Sequence, residues 1–247
     1  MANQYFINIP LTLETEFRIE NPAKHHIFNV MRARNGEKFE LVFSDGKIGL
    51  AEVTNAEVAE FKVVEEIKRN NELPVKVTIA VGFPKGDKLD FVSEKSTELG
   101  ATAVWAAPFD WSVVKWNKEK LTRRQEKLMK IAKGAAEQSK RNLIPEIVLF
   151  EKFSGLVGRF SEFDKVLIAY EESAKQGEIS KFAEILNGKP DKILLIFGPE
   201  GGISPKEIEI FTAAGAELVG LGSRILRAET APLYALSAIS ALIELQK

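Results

Sequence analysis

The chain of 247 residues has two stretches that differ in the spacing of apolar and polar positions. Before residue 70, the segments 37–43, 47–53 and 60–67 alternate partially between apolar and polar residues, which is typical of half-buried β-strands. The sequence SDGK at residues 44–47 predicts a hairpin turn between two of them. A short helical pattern, roughly residues 22–34, interrupts the strands. We therefore predict a small β-rich domain at the N-terminus.

The pattern changes after the polar, proline-terminated segment KRNNELP, residues 68–74. Beyond it, continuous apolar runs alternate with longer segments whose apolar residues recur at helical spacing. Buried parallel strands carry continuous apolar runs, and strands that alternate with helices indicate a mostly parallel sheet with helices on both faces. We therefore predict two domains, residues 1–71 and 72–247, the second of them an α/β domain.

The elements predicted in the second domain follow from these runs. The strands are 75–82, 103–108, 146–150, 165–170, 192–197 and 216–221, and the helices are 85–100, 118–139, 178–186, 204–215 and 229–246. Ligands of such sheets bind at the carboxyl ends of the strands. Three predicted strand ends carry reactive or flexible residues: AYEES (169–173), FGPEGG (197–202) and LGSRILRAETA (221–231).

Composition excludes several kinds of site. The 34 lysines and arginines nearly balance the 35 acidic residues, so a basic surface for nucleic acid has to be local. There are no cysteines and only two histidines, His25 and His26, which leaves no thiolate or multi-histidine metal site. The N-terminus does not resemble a signal peptide and no apolar run is long enough to span a bilayer. We expect a cytoplasmic protein without a metal.

The FGPEGG segment combines glycines with a carboxylate. Its glycines allow close backbone approach, and Ser204, Pro205 and Glu207 predict a helix start with a capping box. A helix N-terminus attracts anions, but Glu200 would repel a polyphosphate, and no phosphate-loop motif is present. A neutral or cationic ligand, such as a nucleoside that carries a sulfonium, suits this charge better. A tight turn without a ligand is the alternative.

Two other segments allow both a functional and a structural interpretation. Arg224 and Arg227 are either solvated loop charges or contacts to phosphate or base, with Glu229 orienting Arg227 or contacting substrate. The segment 115–141 holds ten basic and three acidic residues, which favours a local nucleic-acid surface over a merely solvated helix. Trp111 and Trp116, beside this segment, could stack on unpaired bases or belong to the core.

Together these motifs resemble the RsmE-type ribosomal RNA methyltransferases of the SPOUT superfamily. The matching stretches are FGPEGGIS, LGSRILRAETA, STELGA (96–101), SVVKW (112–116), AAEQSKR (135–141) and HHIFNVMRARNGEKFELVFSDG (25–46), in the order of the family and over essentially the whole chain. The resemblance implies an N-terminal PUA-like β-barrel and a C-terminal α/β SPOUT domain with a trefoil knot. It also implies a homodimer through the knotted domain.

The resemblance further implies methylation of N3 of a uridine in 16S rRNA of the small ribosomal subunit, with S-adenosylmethionine as the methyl donor. The residues that it assigns to the cofactor site are Ala169, Tyr170, Phe197, Gly198, Pro199, Glu200, Gly201, Gly202, Leu221, Gly222, Ile225, Leu226, Arg227, Thr230 and Ala231. The residues expected to contact RNA are His25, Arg32, Arg34, Lys115, Arg123, Arg124, Lys140, Arg141 and Arg224. For His25 and His26, an ordinary role at the surface or as a helix cap is the alternative to RNA contact.

Three residues have hypothetical roles in the reaction. Arg227 would stabilise negative charge on the uracil carbonyl oxygens, and Glu229 would accept the N3 proton directly or through water, with Glu200 as the second candidate. One position departs from the family, because Trp111 stands where members usually carry an arginine before the serine, and this removes one expected RNA contact.

Two other functions compete with this one. A SPOUT methyltransferase that acts on tRNA or on ribose would not carry the PUA-like segment found at residues 25–46. A non-catalytic RNA-binding assembly factor would be expected to have degenerate versions of FGPEGG and RILRAETA, and both are intact. The motifs favour the rRNA methyltransferase.

Overall fold

The computed structural model describes residues 4–170 and 179–245, which fall into two compact units. The first comprises Met1–Glu72 together with Ala136–Leu143, and the second comprises Leu73–Ala135 together with Ile144–Lys247. The first change of unit, at Glu72 and Leu73, lies one residue from the expected domain boundary. The sequence does not predict that residues 136–143 belong with the first unit.

The first unit is built on one five-stranded sheet. Its strands are β1 Gln4–Phe6, β2 Glu16–Arg18, β3 Lys38–Val42, β4 Ile48–Asn55 and β5 Glu60–Ile67, in the order β1-β3-β4-β5-β2. β1 pairs with β3 in parallel, and the other pairs are antiparallel. The predicted hairpin turn is confirmed, since the Gly46 N–H donates to the Phe43 carbonyl oxygen at 2.9 Å. The predicted helix is only a π-helical segment, His25–Val30.

Residues 136–143 join the first unit through polar contacts. The long helix α2, Lys118–Gln138, ends in a left-handed residue, Lys140, with φ of 61°. Glycine is the usual residue at such a helix end, so the sequence has no local signal for this turn. The side chain of Arg141 is 2% exposed, and its guanidinium pairs with the Glu72 carboxylate. The main-chain carbonyl oxygen of Arg141 accepts from Gln4 Nε2 at 2.6 Å.

The second unit alternates strands and helices around a six-stranded parallel sheet. In chain order its elements are β6 Lys76–Gly82, α1 Lys88–Glu98, β7 Ala103–Ala107, α2, β8 Glu146–Leu149, α3 Phe153–Val157, β9 Lys165–Ala169, α4 Ile179–Asn187, β10 Lys192–Phe197, α5 Pro205–Ala213, β11 Glu217–Val219 and α6 Thr230–Ile239. A 3-10 turn, Phe160–Glu162, and a π-helical segment, Ser240–Glu244, complete it. The strand order is β11-β9-β10-β6-β7-β8.

Both faces of this sheet are covered, as predicted. Alternate residues of each strand, such as Leu195 and Ile196 of β10, face two different apolar clusters, because successive side chains of a strand point to opposite faces. One cluster includes side chains of α1, α2, α4 and α6, and the other includes Leu156 of α3 and Phe211 of α5. The α/β architecture is therefore confirmed.

The sheet order brings the chemically unusual strand ends together. β11, β9 and β10 are adjacent and parallel, so their carboxyl ends share one edge of the sheet. β6 pairs with β10 on its other side, with Val81 opposite Phe197. Residues 171–173 of the predicted strand end, residue 178 of a predicted helix and residue 246 of the last one lie outside the described residues.

Candidate active site

A cleft of about 1070 Å³ opens at this edge of the sheet. Residues 198–202, here called the glycine loop, follow β10, and residues 221–229, here called the arginine loop, follow β11 and end at the N-cap of α6. Both loops line the cleft, together with Ala169 and Tyr170 at the end of β9. All the residues predicted for the cofactor site line this cleft except Thr230, the first residue of α6.

The glycine loop has its shape because side chains are absent. A Cβ added at Gly198 would lie 2.8 Å from the carbonyl carbon of Gly202, and one at Gly201 would lie 2.9 Å from Trp111 Cβ. Gly202 has φ of +82°, which residues with a Cβ rarely adopt. The Gly202 N–H donates to the Pro199 carbonyl oxygen at 2.9 Å and closes the turn. The loop is therefore set by its own backbone.

A buried polar network follows the glycine loop. Ser204 caps α5, because its Oγ accepts from the Glu207 N–H at 3.2 Å and its own N–H donates to Glu207 Oε2 at 2.9 Å. This is the predicted capping box. Glu207, 3% exposed, also accepts from the Asp110 N–H at 2.8 Å, and Ser204 Oγ donates to Asp110 Oδ2 at 2.9 Å. The network ties the segment after β7 to the start of α5.

The two tryptophans near the basic segment have different surroundings. Trp116 packs on Phe83 with ring centroids 4.4 Å apart, and the guanidinium carbon of Arg124 lies 5.2 Å from the Trp116 ring centroid. Trp111 is 47% exposed and lines the cleft beside the glycine loop. Of the two interpretations left open by the sequence, Trp116 fits the structural one, and Trp111 is the tryptophan available to a ligand.

The arginine loop is much more open. Its side chains Arg224, Ile225 and Arg227 are all exposed to solvent and line the cleft. The Arg227 carbonyl oxygen accepts from the N–H groups of Thr230 and Ala231 at 2.9 and 3.0 Å, which starts α6. Within residues 4–170 and 179–245, the guanidinium of Arg227 has neither an ion-pair nor a hydrogen-bond partner. It is free to bind a ligand.

Lys88 connects the two loops, and the sequence interpretation missed it. Lys88 is the first residue of α1, and its Nζ lies 3.0 Å from Glu200 Oε1 and 3.0 Å from Glu229 Oε2. Glu200 also accepts from the Lys85 N–H at 3.1 Å. The rule that ligands bind at strand ends, applied to β6 as well, would have drawn attention to GFPKGDK, residues 82–88.

Lys88 keeps both carboxylates ionised. Burial by itself would raise the pKa of Glu200 and of Glu229, but the Lys88 ammonium and backbone N–H groups outweigh it, and both pKa values lie below the ordinary 4.5. The pKa of Lys88 is raised, mainly by Glu229 and then by Glu200. A carboxylate with a lowered pKa is a poor proton acceptor near neutral pH. The electrostatics therefore weaken the hypothesis that Glu229 or Glu200 is a general base.

The residues predicted to bind RNA fall into three groups. Exposed ones are His25, Arg32, Arg34, Lys115, Arg123 and Arg224. Arg124 and Lys140 are partly buried, and their charged ends contact Asp90 and Glu40 at 3.4 and 3.0 Å. Arg141 was placed wrongly, since its side chain is 2% exposed and paired with Glu72, so it stabilises the first unit and is inaccessible to RNA.

Two further properties concern the described part of the chain. None of the helices between residues 4 and 170 or between 179 and 245 has the length and apolar character needed to cross a membrane. In the same ranges, no group of three or more histidine, aspartate or glutamate side chains is arranged to hold a metal ion. The described side chains thus present no metal centre beside the cleft.

Comparison with known proteins matches both units. A model of the RNA methyltransferase domain covers residues 71–240, and a model of the RNA methyltransferase PUA domain covers residues 19–64. The predicted PUA-like N-terminal domain is thereby confirmed. The first match extends over the cleft and both loops that line it.

Relatives match over nearly the full length. The chain is 45% identical to ribosomal RNA small subunit methyltransferase E of Bacillus subtilis, over 98% of this chain and 97% of that protein. A methyltransferase E from Neisseria gonorrhoeae, crystallised with S-adenosylmethionine, has a TM-score of 0.85 at 28% identity over 98% of each chain. A methyltransferase from Legionella pneumophila, also described with this cofactor bound, has a TM-score of 0.83 at 27% identity over 98% of each chain.

The similarity and the geometry of the cleft agree. The loops that carry FGPEGG and RILRAETA line one cleft of a parallel α/β unit, and residues 19–64 match a PUA domain of RNA methyltransferases. The 45% identity to the Bacillus subtilis protein extends over 98% of this chain, so it includes both loops and both units. The chain belongs to the family of the ribosomal RNA small subunit methyltransferases E.

Proposed function

We propose that the protein transfers a methyl group from S-adenosylmethionine to N3 of a uridine in the RNA of the small ribosomal subunit. The observation that carries the proposal is the cleft in which an exposed arginine, Arg227, lies in the loop next to a glycine loop with a fixed backbone. Relatives named as ribosomal RNA small subunit methyltransferases E, one of them with S-adenosylmethionine bound, support the assignment. The Legionella pneumophila protein, described as a putative methyltransferase, also has this cofactor bound.

The cleft suits a nucleoside that carries a sulfonium. The glycine loop lines the cleft without side chains at three of its five positions, so a ligand can contact its backbone groups. Among the side chains that line the cleft, the Glu200 carboxylate can offset the positive charge of a sulfonium, while Arg224 and Arg227 supply positive charge for the RNA. We assign cofactor binding to the predicted residues that line the cleft. When bound, the cofactor supplies an electrophilic methyl group.

Arg227 has the main role in the reaction. N3 of uridine loses its proton to water, and the resulting negative charge is shared with the two flanking carbonyl oxygens of the base. N3 would then form its bond to the methyl carbon as the carbon–sulfur bond of the sulfonium breaks, which releases S-adenosylhomocysteine. The exposed Arg227 guanidinium, which makes no ion pair among the described residues, can donate to these oxygens with little reorganisation. The base has to be unpaired, because N3 lies on its pairing edge.

The group that accepts the N3 proton has two carboxylate candidates near Arg227. Glu229 stays the leading hypothesis by position, because it begins α6 beside Arg227, with Glu200 second. The lowered pKa of each makes direct proton transfer to them inefficient near neutral pH. We propose that the two carboxylates act mainly by holding Lys88 and by matching the positive charge of the cofactor, and that the proton leaves through water.

The proposal also includes the assembly and location expected from the sequence. A homodimer through a knotted C-terminal domain would cover apolar side chains that are exposed in the single chain, such as Ile225 at 76% and Tyr234 at 40%. A substrate in the small ribosomal subunit implies a cytoplasmic location. Light scattering of the purified chain tests the dimer, and a monomeric mass at micromolar concentration would contradict it.

Methylation of small subunits that lack the modification tests the proposed function. We expect incorporation of one methyl group, which mass spectrometry of nuclease digests should locate on N3 of a uridine. A methyl group on ribose or on cytosine would contradict the proposal and favour another target. Calorimetric titration with S-adenosylhomocysteine distinguishes the non-catalytic alternative, which predicts no binding heat.

A further inference from the structure

Trp111 is a large aromatic side chain exposed in the candidate site. The chain has three tryptophans, of which Trp105 is 1% exposed and Trp116 packs on Phe83. Trp111 is 47% exposed and lines the cleft. Nothing in the reaction as proposed above requires an indole at this position. Its exposure therefore needs an explanation of its own.

The backbone around Trp111 is fixed by neighbours on both sides. The Phe109 N–H donates to Ser112 Oγ at 3.1 Å, and the Ser112 N–H donates to the Phe109 carbonyl oxygen at 2.9 Å, which closes a turn around residue 111. Asp110 is held by the buried Glu207 carboxylate. The indole is thus presented by a rigid turn, and ordering it on a ligand costs little conformational entropy.

Trp111 is also in contact with the glycine loop. Gly201 is so close that an added Cβ would lie 2.9 Å from Trp111 Cβ and 3.1 Å from its carbonyl oxygen. A Cβ at Gly202 would lie 3.8 Å from the edge of the indole ring. The exposed part of the ring therefore borders the same space as the loop that we assign to the cofactor, so a base stacked on it would lie near the methyl donor.

The cleft has room and charge for a base in addition to the cofactor. Its volume, about 1070 Å³, is at the upper end of the range of about 300–1,000 Å³ that holds one small ligand. Arg224 and Arg227, both exposed, line it as well. An aromatic ring beside arginines is how proteins recognise unpaired nucleotides, since the ring stacks on the base and the cations contact phosphate or base oxygens.

We propose that Trp111 is a substrate-positioning residue that stacks on the unpaired uracil that receives the methyl group. The indole holds the plane of the base beside the glycine loop, while Arg227 contacts its carbonyl oxygens. This inference rests on the proposed function, because it assigns the substrate base to that same cleft. It adds a residue that selects a flat, unpaired base by its π-face.

Two substitutions separate stacking from simple apolar contact. Trp111→Phe and Trp111→Leu both keep the Cβ that packs on Gly201, but only phenylalanine keeps an aromatic face. A base–aromatic stack is worth about 1–3 kcal/mol, or about 5- to 150-fold. We expect the leucine variant to lose about that factor in kcat/KM on small subunits that lack the modification, and the phenylalanine variant to keep most of its activity. Equal activity of the two variants would overturn the proposal.

Cofactor binding identifies the ligand of the indole. Calorimetry with S-adenosylhomocysteine should give the same Kd for wild type and both variants, and it also reports whether the leucine variant is folded. If the Leu variant loses cofactor affinity in parallel with activity, the indole contacts the cofactor and the proposal is wrong. Val113→Ala is the matched control, because Val113 is 66% exposed close by but does not line the cleft.

Fluorescence supplies a readout independent of turnover. Stacking should quench Trp111 emission when small subunits are added in the presence of S-adenosylhomocysteine, and the quenching should be absent in Trp111→Phe. Quenching that persists in this variant would come from another tryptophan and would contradict the proposal. Failure of the proposed function looks different, because wild type would then transfer no methyl group to N3 whatever residue 111 is.

Discussion

The glycine loop and the arginine loop border the same cleft but are built in opposite ways. The glycine loop is in van der Waals contact with its surroundings, and a Cβ at Gly198 or Gly201 would approach backbone or Trp111 atoms at about 3 Å or less. The arginine loop presents exposed side chains, with Ile225 76% exposed and the Arg227 guanidinium unpaired among the described residues. The glycine loop depends on close packing, and the arginine loop contributes charged side chains. Substitutions in the first should therefore lower cofactor affinity, and substitutions in the second should lower the rate of methyl transfer.

The largest effect is expected in the arginine loop. Removal of one preorganised donor to developing negative charge typically lowers kcat by about 10²- to 10³-fold. Arg227→Ala should therefore lower methyl transfer by about this factor, with little change in melting temperature. Single-turnover methylation measures it. Arg224→Ala, an exposed neighbour, is the control and should mainly raise KM for the small subunit by a few fold. Full activity of Arg227→Ala would remove the central assignment.

A glycine substitution should instead affect cofactor binding. In Gly198→Ala the added Cβ would lie 2.8 Å from backbone of Gly202, which cannot move without opening the loop. Overpacking of this kind costs about 1–3 kcal/mol, so we expect affinity for S-adenosylhomocysteine to fall about 5- to 150-fold by calorimetry. Gly134→Ala is the control, since nothing lies within 4 Å of a Cβ there. If both variants bind alike, the glycine loop is not a wall of the cofactor site.

Lys88, which contacts both loops, should affect the pH dependence. The carboxylates of Glu200 and Glu229 have lowered pKa values, so the stability they contribute is complete above the ordinary 4.5 and is lost as pH falls through their folded-state pKa values. In Lys88→Met, only backbone N–H groups and, for Glu229, the charge of Arg227 still oppose the effect of burial, so the pKa values of both carboxylates should rise.

The expected result is a shift of the acid limb of the rate profile to higher pH. Lys88→Met should begin to lose activity at a higher pH than wild type as the pH falls below about 6, because protonation of the carboxylates removes charge that the site uses. Lys88→Arg keeps a cation at this position and should retain the wild-type profile. Parallel profiles for wild type and Lys88→Met would show that Lys88 does not control the ionisation of these carboxylates.

The smallest effect concerns the network behind the glycine loop. Ser204→Ala removes the cap of α5 and the hydrogen bond to Asp110 Oδ2. Loss of such a cap costs about 1 kcal/mol, which should lower the melting temperature by about 2–4 °C in a chain of this size. Thr212→Ala on the same helix removes only an exposed hydroxyl bonded to the Ile208 carbonyl and serves as the control. Equal melting temperatures would mean that the cap is dispensable.

Much of the fold follows from local patterns. The strands β6 to β10 and the helices α1, α2 and α5 lie where the apolar runs and helical spacing predict them, and the hairpin and the capping box follow from SDGK and SPKE. β2 and α3 are missing from the prediction because three to five residues are too few to display a period. The last predicted helix continues after Ile239 only as a π-helical segment.

The sequence predicts which loops form the candidate site, but it does not predict the contacts between their side chains. FGPEGG and RILRAETA mark two strand ends, and the parallel sheet predicts that they share an edge. That Lys88 lies 3.0 Å from carboxylates of both loops depends on β6 pairing with β10, and no local pattern encodes the order of strands. The burial of Arg141 against Glu72 also depends on a residue distant in sequence, so the local basic pattern wrongly predicts a surface residue.

The sequence by itself determined the types of elements, the α/β class and the identity of the loops that carry the chemistry, because periodicity, capping and turn residues act over a few neighbouring positions. Only the tertiary structure decided which charges are free and which are paired. Arg141 is buried against Glu72, whereas Arg227 is unpaired within the described residues. Trp116 packs on Phe83, whereas Trp111 is exposed at the cleft. Burial and pairing depend on residues distant in sequence, which only the folded sheet brings together.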